Sequence, residues 1–414
     1  MHELIATQLL DFDLYRSALY AFLCSAGVVV LLTPLVMQVA GKVGAVDDPG
    51  EERRVHTRPT PRMGGVAMLA GILVSCVVFI DFSLQVPRLQ MQAEQLTVAL
   101  VCAVFVCLLG AVDDVVALPW FSKLGGQIGI ALAVVLAPLL GPTTNSIRQL
   151  ILAVRVVDPP LAHAVIVPPV VGIALAVLWI VAMMNMVNFI DGVDGLAAGV
   201  CSISAMTFAV IAASYHRADV AVLAAAVSGA GIGFLRYNFR KGGALVFMGD
   251  SGSMLLGFLL AVIAIQGVLK TAAAISLVIP LALLAVPILD TMFVVSKRLK
   301  HKQPVSNADR WHLHHRLLNV GYSPRRVAVA FWGWTASMSA VAIALRYINY
   351  GNSRHWERTG LLVLGAVALL AAVASVVIAV QLEIIKTRSV RDRNRQIALK
   401  REAERRVEAE AESS

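Results

Sequence analysis

The stretch Asn185 to Gly195, NMVNFIDGVDG, sets two amides and two carboxylates, Asn185, Asn188, Asp191 and Asp194, three residues apart. On a helix that spacing stacks side chains along one face. Such a face offers only oxygen acceptors and amides, a donor set that suits a hard cation such as Mg2+ and does not suit zinc. The stretch follows directly on the apolar run 164–184, where a membrane helix is due to end. Polar groups at that lip are costly to bury without partners, so they read as a ligand or ion site. Gly192 and Gly195 let the backbone turn tightly or approach a ligand closely.

Four further polar clusters interrupt the apolar sequence. Val46 to Gly65, VDDPGEERRVHTRPTPRMGG, contains prolines that exclude a regular helix, and its arginines and His56 suit phosphate oxygens. Ala111 to Gln127, AVDDVVALPWFSKLGGQ, ends one span on Asp113 and Asp114 and opens the next with Lys123. Adjacent residues point about 100° apart on a helix, so one carboxylate is expected to face the site while the other braces the loop. Phe247 to Gly257, FMGDSGSMLLG, sets Asp250 among small residues at a helix start, where free N–H groups and the positive end of the dipole favour phosphate oxygens. Asn307 to Leu318, NADRWHLHHRLL, places His312, His314 and His315 between Arg310 and Arg316. Their spacing is not that of a helical metal pair and no carboxylate or cysteine within HLHHR completes a tetrahedron, so they read as donors to a diphosphate or sugar.

These clusters must be carried by a membrane protein. Apolar residues make up 58% of the 414, mean hydropathy is +0.77 and only 15% are charged, far from a soluble globular composition. About eleven runs are long enough to cross a hydrocarbon core of roughly 20 residues, starting near Ser17, Gly64, Gln95, Leu124, Ala164, Gly195, Ala218, Ala244, Thr271, Arg326 and Thr359. An all-α polytopic fold is the expectation. With the N-terminus exoplasmic, 26 of the 35 lysines and arginines fall on the cytoplasmic side, which fixes that orientation and brings all five clusters to the cytoplasmic face. The formal charge of +9 then belongs to one face, where it suits an anionic leaflet or anionic substrates; nucleic acid is not an expected partner. The organisation expected is a short exoplasmic segment 1–16, a membrane domain 17–385 and a charged cytoplasmic tail 386–414. All five cysteines lie inside apolar runs and read as small core residues.

Together the clusters supply a Mg2+ site, cationic donors and spare carboxylates at a bilayer surface, which fits phosphoryl transfer involving a lipid. Their order and spelling resemble the polyprenyl-phosphate N-acetylhexosamine-1-phosphate transferases. The resemblance is carried by Asp47 to Gly65, Asp113 to Gln127, NMVNFIDGVDGLAAG from Asn185, Phe247 to Gly257, VPILD at Val286 to Asp290 and His312 to Leu317. HLHHR at His312 to Arg316 is similar to the branch that uses UDP-N-acetylglucosamine (UDP-GlcNAc). The UDP-muramoyl-pentapeptide branch has three successive histidines, a run that Leu313 interrupts here.

The resemblance implies transfer of GlcNAc-1-phosphate from UDP-GlcNAc to a polyprenyl phosphate in the plasma membrane, with Mg2+ as cofactor and Mn2+ able to replace it. Asp250 would ligate the metal, joined by Asn188. Asp113 and Asp114 would serve the acceptor phosphate, and Asp191 and Asp194 the uridine and the outer shell of the metal. Arg310, His312, His314 and His315 would hold sugar and diphosphate. Lys123, Asn185, Arg316 and His56 complete the substrate-binding set, Asp290 stands behind the site, and a homodimer is the candidate oligomer. Direct attack of the lipid phosphate is favoured over a covalent aspartyl intermediate, because both substrates reach the membrane surface together. The rivals are the muramoyl-pentapeptide transferase of the same superfamily and, in another class, an ion-coupled secondary transporter, which predicts carboxylates near the midplane and internal repeats.

Overall fold

In hydrocarbon a segment must satisfy its own backbone groups, so the apolar runs of this chain become helices. The computed structural model describes residues 2–47, 59–80, 87–140, 169–268, 280–300, 313–319 and 321–347, and positions 365, 366, 369, 371–373 and 375. The helices are α1 (His2–Val43), α2 (Gly64–Phe79), α3 (Pro87–Val116), α4 (Trp120–Leu140), α5 (Pro169–Ile190), α6 (Leu196–Ser214), α7 (Ala218–Asn238), α8 (Gly249–Ile263), α9 (Ala285–Lys300), α10 (Leu313–Asn319) and α11 (Pro324–Tyr347). A π-helical turn, Ala264–Val268, continues α8.

Eight helices among the described residues are long and apolar enough to cross a membrane: α1, α3 to α8 and α11, with the crossing stretch of α8 taken to Gln266. Gly64–Phe79 and Ala285–Ser296 are shorter apolar helices at the positions expected for the second and ninth spans. The expected eleventh span lies largely outside the described residues, as does the whole tail from Lys386. The chain is a helical, multi-pass membrane protein. Its first helix runs unbroken from His2, so the boundary expected at residue 16 falls inside α1. The eighth helix starts at Gly249 rather than near Ala244, because Gly242 and Gly243 take left-handed backbone and hold the preceding segment in turns.

Three helices form the centre. Over their apolar windows α6 and α8 are 83% buried and α7 is 78%, whereas α1, α4 and α5 bury less than a third of theirs and leave large apolar side chains outward. Outward apolar residues are what lipid-facing helices require. α8 packs against α2, α3 and α5. Between helices in lipid, close backbone approach replaces the hydrophobic drive, and small residues permit it. Gly65 lies against the backbone of Ser251 and Gly252, and Gly110 against the backbone of Asp250 and Ser251. The backbone of α2 is also hydrogen-bonded to the segment that leads into α8: Gly64 N–H donates to Phe247 O (3.0 Å) and Gly65 N–H to Met248 O (3.1 Å). Val46–Asp47 (β1) and Thr60–Pro61 (β2) pair antiparallel, Val46 opposite Pro61, and Phe247 N–H donates to Pro61 O at 2.8 Å.

Gly65→Ala and Gly110→Ala would each set a methyl group into α8 backbone, which cannot swing aside as a side chain can. Each substitution is expected to destabilise the protein by about 1–3 kcal/mol and to lower the apparent Tm in detergent. Gly129→Ala, in α4 with open space around its Cα, is the control: the better helix propensity of alanine leaves stability unchanged or raised by up to about 1 kcal/mol, and Tm does not fall.

Candidate functional site

The site begins at the first turn of α8. The first N–H groups of any helix lack intrahelical acceptors, and at the edge of a bilayer they need protein partners. Asp114, from the last turn of α3, provides them: Oδ1 accepts from Asp250 N–H (2.8 Å) and Oδ2 from Ser251 N–H (3.1 Å). Its carboxylate is only 8% exposed, and Gly249, at φ 69°, leaves the room in which it lies. Part of the positive helix end expected to receive phosphate oxygens is therefore already occupied by Asp114. The physical reason is the need to satisfy a buried helix start.

With its backbone so held, Asp250 turns its side chain to two other helices. Asn188 of α5 donates Nδ2–H to Asp250 Oδ1 at 2.7 Å and to Ser253 Oγ at 2.9 Å. Lys123 of α4 pairs its ammonium with Asp250 Oδ2 and with Asp113 Oδ2, the latter at 3.1 Å. The other oxygen of Asp113 accepts Leu118 N–H at 2.7 Å, closing the bend between α3 and α4. The two neighbouring aspartates do diverge as their spacing requires. Asp113 serves both the loop and the lysine, and Asp114 serves α8.

One turn deeper, Asn185 donates to Gln127 Oε1 (2.7 Å) and Val181 O (2.8 Å), and Gln127 donates to Met254 Sδ at 3.0 Å. Gln127 has no exposed surface. Asn185 thus bridges α5 to α4 beneath the charged layer. Asn185 and Asn188 share a helical face as expected, but the four-residue stack does not continue. α5 ends at Ile190, and Asp191 and Asp194 lie in the turn before α6. Gly195, at φ 78°, completes that turn, a conformation that excludes continuation of the helix. Asp191 N–H donates to Asn188 O (3.2 Å) and Asp194 Oδ2 accepts from Ala244 N–H (3.0 Å).

The turn is pinned at its end. Asn238 Oδ1 accepts from Gly195 N–H at 2.6 Å, and Trp332 of α11 donates Nε1–H to Gly195 O at 3.1 Å. Burial holds the Asp191 carboxyl well above the usual carboxylate range, helped by the negative charges of Asp114 and Asp194 and opposed by Arg62. Arg62 also lies within electrostatic reach of Asp114 and pairs with Asp47 at 3.8 Å. Five carboxylates, Asp113, Asp114, Asp191, Asp194 and Asp250, thus gather around two cations, Lys123 and Arg62.

Of the histidine cluster, Arg310 and His312 lie outside the described residues, as does His56; His314 and His315 are placed in α10, with their side chains outside the description. Arg316 stacks its guanidinium over Phe293 of α9 at 5.3 Å. Asp290 of α9 accepts Leu313 N–H at 2.6 Å. Gln127, Ser253, Asn238 and Trp332 were missed by sequence reasoning, whereas Arg62 belongs to the arginines of Val46 to Gly65 that suited phosphate oxygens. Gln127 and Ser253 had a readable signal, standing four and three residues after Lys123 and Asp250 on the same helical faces.

The fit to a divalent cation rests on the donors present. Asp250 offers a carboxylate oxygen, Asn188 an amide whose oxygen and nitrogen exchange by a half-turn of the side chain, and an ammonium already lies between Asp113 and Asp250. No group of three histidine, cysteine or acidic side chains among the described residues forms a metal cage. Asp250 and Asn188 are donors of the kind Mg2+ would take, since that ion uses one or two carboxylates and fills its remaining positions with water and substrate phosphates.

The shift at Asp191 has a checkable sign. A carboxyl whose folded pKa exceeds its unfolded value binds protons more readily when folded, so its cost to stability is full above the folded pKa and is relieved as pH falls through it. Asp191→Asn is expected to raise the apparent Tm at pH 7.5 in chelator, and to flatten the rise in Tm that the parent protein gains between pH 7.5 and 5. A thermal-shift series over that range measures both.

Comparison with known proteins bears on the family of the chain. Residues 96–268, which carry α3 to α8, match glycosyl transferase family 4. The chain is 34% identical to a probable undecaprenyl-phosphate N-acetylglucosaminyl 1-phosphate transferase of Bacillus subtilis, over 78% of this chain and 84% of that protein. It is 31% identical to a decaprenyl-phosphate N-acetylglucosaminephosphotransferase of Mycobacterium leprae, over 84% and 87%. A phospho-N-acetylmuramoyl-pentapeptide-transferase of Clostridioides difficile is 28% identical, over 80% and 97%. With relatives above 30% identity aligned over more than four fifths of their own length, the chain belongs to glycosyl transferase family 4, among the polyprenyl-phosphate N-acetylhexosamine-1-phosphate transferases.

Proposed function

We propose that this protein transfers GlcNAc-1-phosphate from UDP-GlcNAc to a polyprenyl phosphate, giving polyprenyl-diphospho-GlcNAc and UMP, an initiating step of envelope polysaccharide synthesis. The observation that carries the reading is the layer in which Lys123 joins Asp113 to Asp250 while Asn188 holds the other oxygen of Asp250. Such a layer at helix ends gives phosphates cations and a metal position at the membrane edge. The names of the relatives supply the lipid phosphate and the sugar.

The transfer is an in-line displacement. A phosphate oxygen of the lipid attacks the β-phosphorus of the donor, the bond from that phosphorus to the bridging oxygen breaks, and UMP leaves with the electron pair. The second pKa of a phosphate monoester lies near 6, so the acceptor is mostly dianionic at neutral pH and needs no strong base. Positioning then dominates. Lys123 meets phosphate as its ammonium shifts from carboxylate to substrate oxygens, and Asp113 directs that ammonium. Asp114, with both oxygens engaged by α8, fixes Asp250 rather than moving a proton. Asp250 and Asn188 would hold Mg2+, which when bound neutralises the diphosphate charge. Asp191 and Asp194 border the nucleotide, and His312, His314, His315, Arg310 and Arg316 receive sugar and diphosphate. The excess of lysine and arginine in the loops around these residues supports a cytoplasmic site at the plasma membrane.

The donor branch follows the identities to the GlcNAc transferases and the spelling HLHHR. A transporter would place its carboxylates near the midplane. Here Asp113 and Asp114 stand in the last turn of α3 and Asp250 in the first turn of α8.

The test is release of UMP from UDP-GlcNAc by purified protein with polyprenyl phosphate, with Mg2+ or chelator, against UDP-muramoyl-pentapeptide as competitor. Turnover is expected with UDP-GlcNAc and Mg2+, lost on chelation and little affected by the competitor. Asp250→Ala and Lys123→Ala are each expected to lower kcat/KM by about 10²–10³-fold or more, the size of a lost electrostatic contact at a reacting group. Turnover of the pentapeptide donor alone would assign the other branch. No turnover of either donor by folded protein would reject the reading.

A further inference from the structure

The described part of α10 is the seven residues Leu313–Asn319, too few to hold helical shape by their own hydrogen bonds. Its geometry must come from what it rests on. Leu313 and Leu317, one turn apart on one face, are 2% and 4% exposed and belong to the apolar core. At its beginning Leu313 N–H donates to Asp290 Oδ1 at 2.6 Å. Along its side the Arg316 guanidinium lies over the Phe293 ring. Asp290 and Phe293 stand three residues apart on α9, hence on one face, so a single face of α9 grips α10 at two points.

Asp290 has no exposed surface. A buried carboxylate in an apolar helix is costly unless its oxygens are used, and here one oxygen accepts from the backbone N–H of Leu313. The geometry points to Asp290 as a positioning residue that holds the backbone of Leu313, and with it the path of the chain carrying His314, His315 and Arg316. It touches no substrate and acts through the backbone of Leu313. The kinetic consequence rests on the donor-binding role proposed for this histidine segment; the structural one does not.

The two are separable by experiment on the full-length protein in detergent. Hydrogen exchange of amides in 313–319 is expected to quicken roughly tenfold in Asp290→Ala, the size of a lost helix cap. Asp290→Asn, whose amide oxygen still accepts from Leu313, is expected to stay within about twofold of the parent protein, as replacements that keep a side-chain acceptor at a cap do. In turnover assays Asp290→Ala is expected to raise KM for UDP-GlcNAc by about the same tenfold while KM for polyprenyl phosphate stays unchanged, with Asn restoring most of the loss. Asp290→Leu fills the space without a polar group and serves in place of Ala if Ala fails to fold. Unchanged exchange in both Ala and Leu overturns the proposal. Asn as damaging as Ala in both assays also overturns it, because the charge and not the acceptor would then be what matters. If the parent protein turns over no UDP-GlcNAc, the donor reading falls and the exchange result alone decides the role of Asp290.

Discussion

A helix whose first turn is buried against its neighbours cannot leave its first N–H groups to water, and in this protein the answer is Asp114. By taking both Asp250 N–H and Ser251 N–H it ties the end of α3 to the start of α8. Much else follows from that tie. Gly110 must be bare so that α3 can lie against the same turn, and Gly65 must be bare so that α2 can close the other side. Asp250, anchored through its backbone, is left with a side chain that looks outward to α4 and α5. The bond that satisfies the helix also aims the residue on which the proposed transfer depends.

The elements came out of the sequence because hydrophobic runs and their polar ends are one-dimensional facts. So did the family, through Asn185 to Gly199 and Phe247 to Gly257, whose residues the structure brings together around Asp250. What stayed hidden was partnership. A row of four polar residues spaced by three reads as one face, yet the helix ends at Ile190 and Asp191 and Asp194 lie in a turn that Gly195 completes with left-handed backbone. Adjacent aspartates read as a pair, yet one of them serves the backbone at the first turn of α8, far along the chain. Trp332 gave no signal at all, since its role is to accept the close approach of Gly199 and bond the carbonyl of Gly195 from a helix late in sequence.

The layer beneath the carboxylates explains how so much charge tolerates an apolar bundle. Asn185, Gln127 and Met254 form a graded transition in which each polar atom meets a softer partner than the one above it. Below them the helices are predominantly apolar. Donors and acceptors are therefore matched before the chain enters hydrocarbon, where an unmatched group would cost several kcal/mol (~4–8 for a hydroxyl or amide).

Lys123 gives the carboxylate layer its own counter-ion. Its ammonium lies between Asp113 and Asp250, so the two negative side chains do not face one another across a bare gap. Any incoming dianion or divalent ion must then trade partners with groups already paired, and the net change in charge pairing is small. Binding becomes an exchange within a fixed set of ion pairs, and discrimination falls to the groups around it that are not so committed.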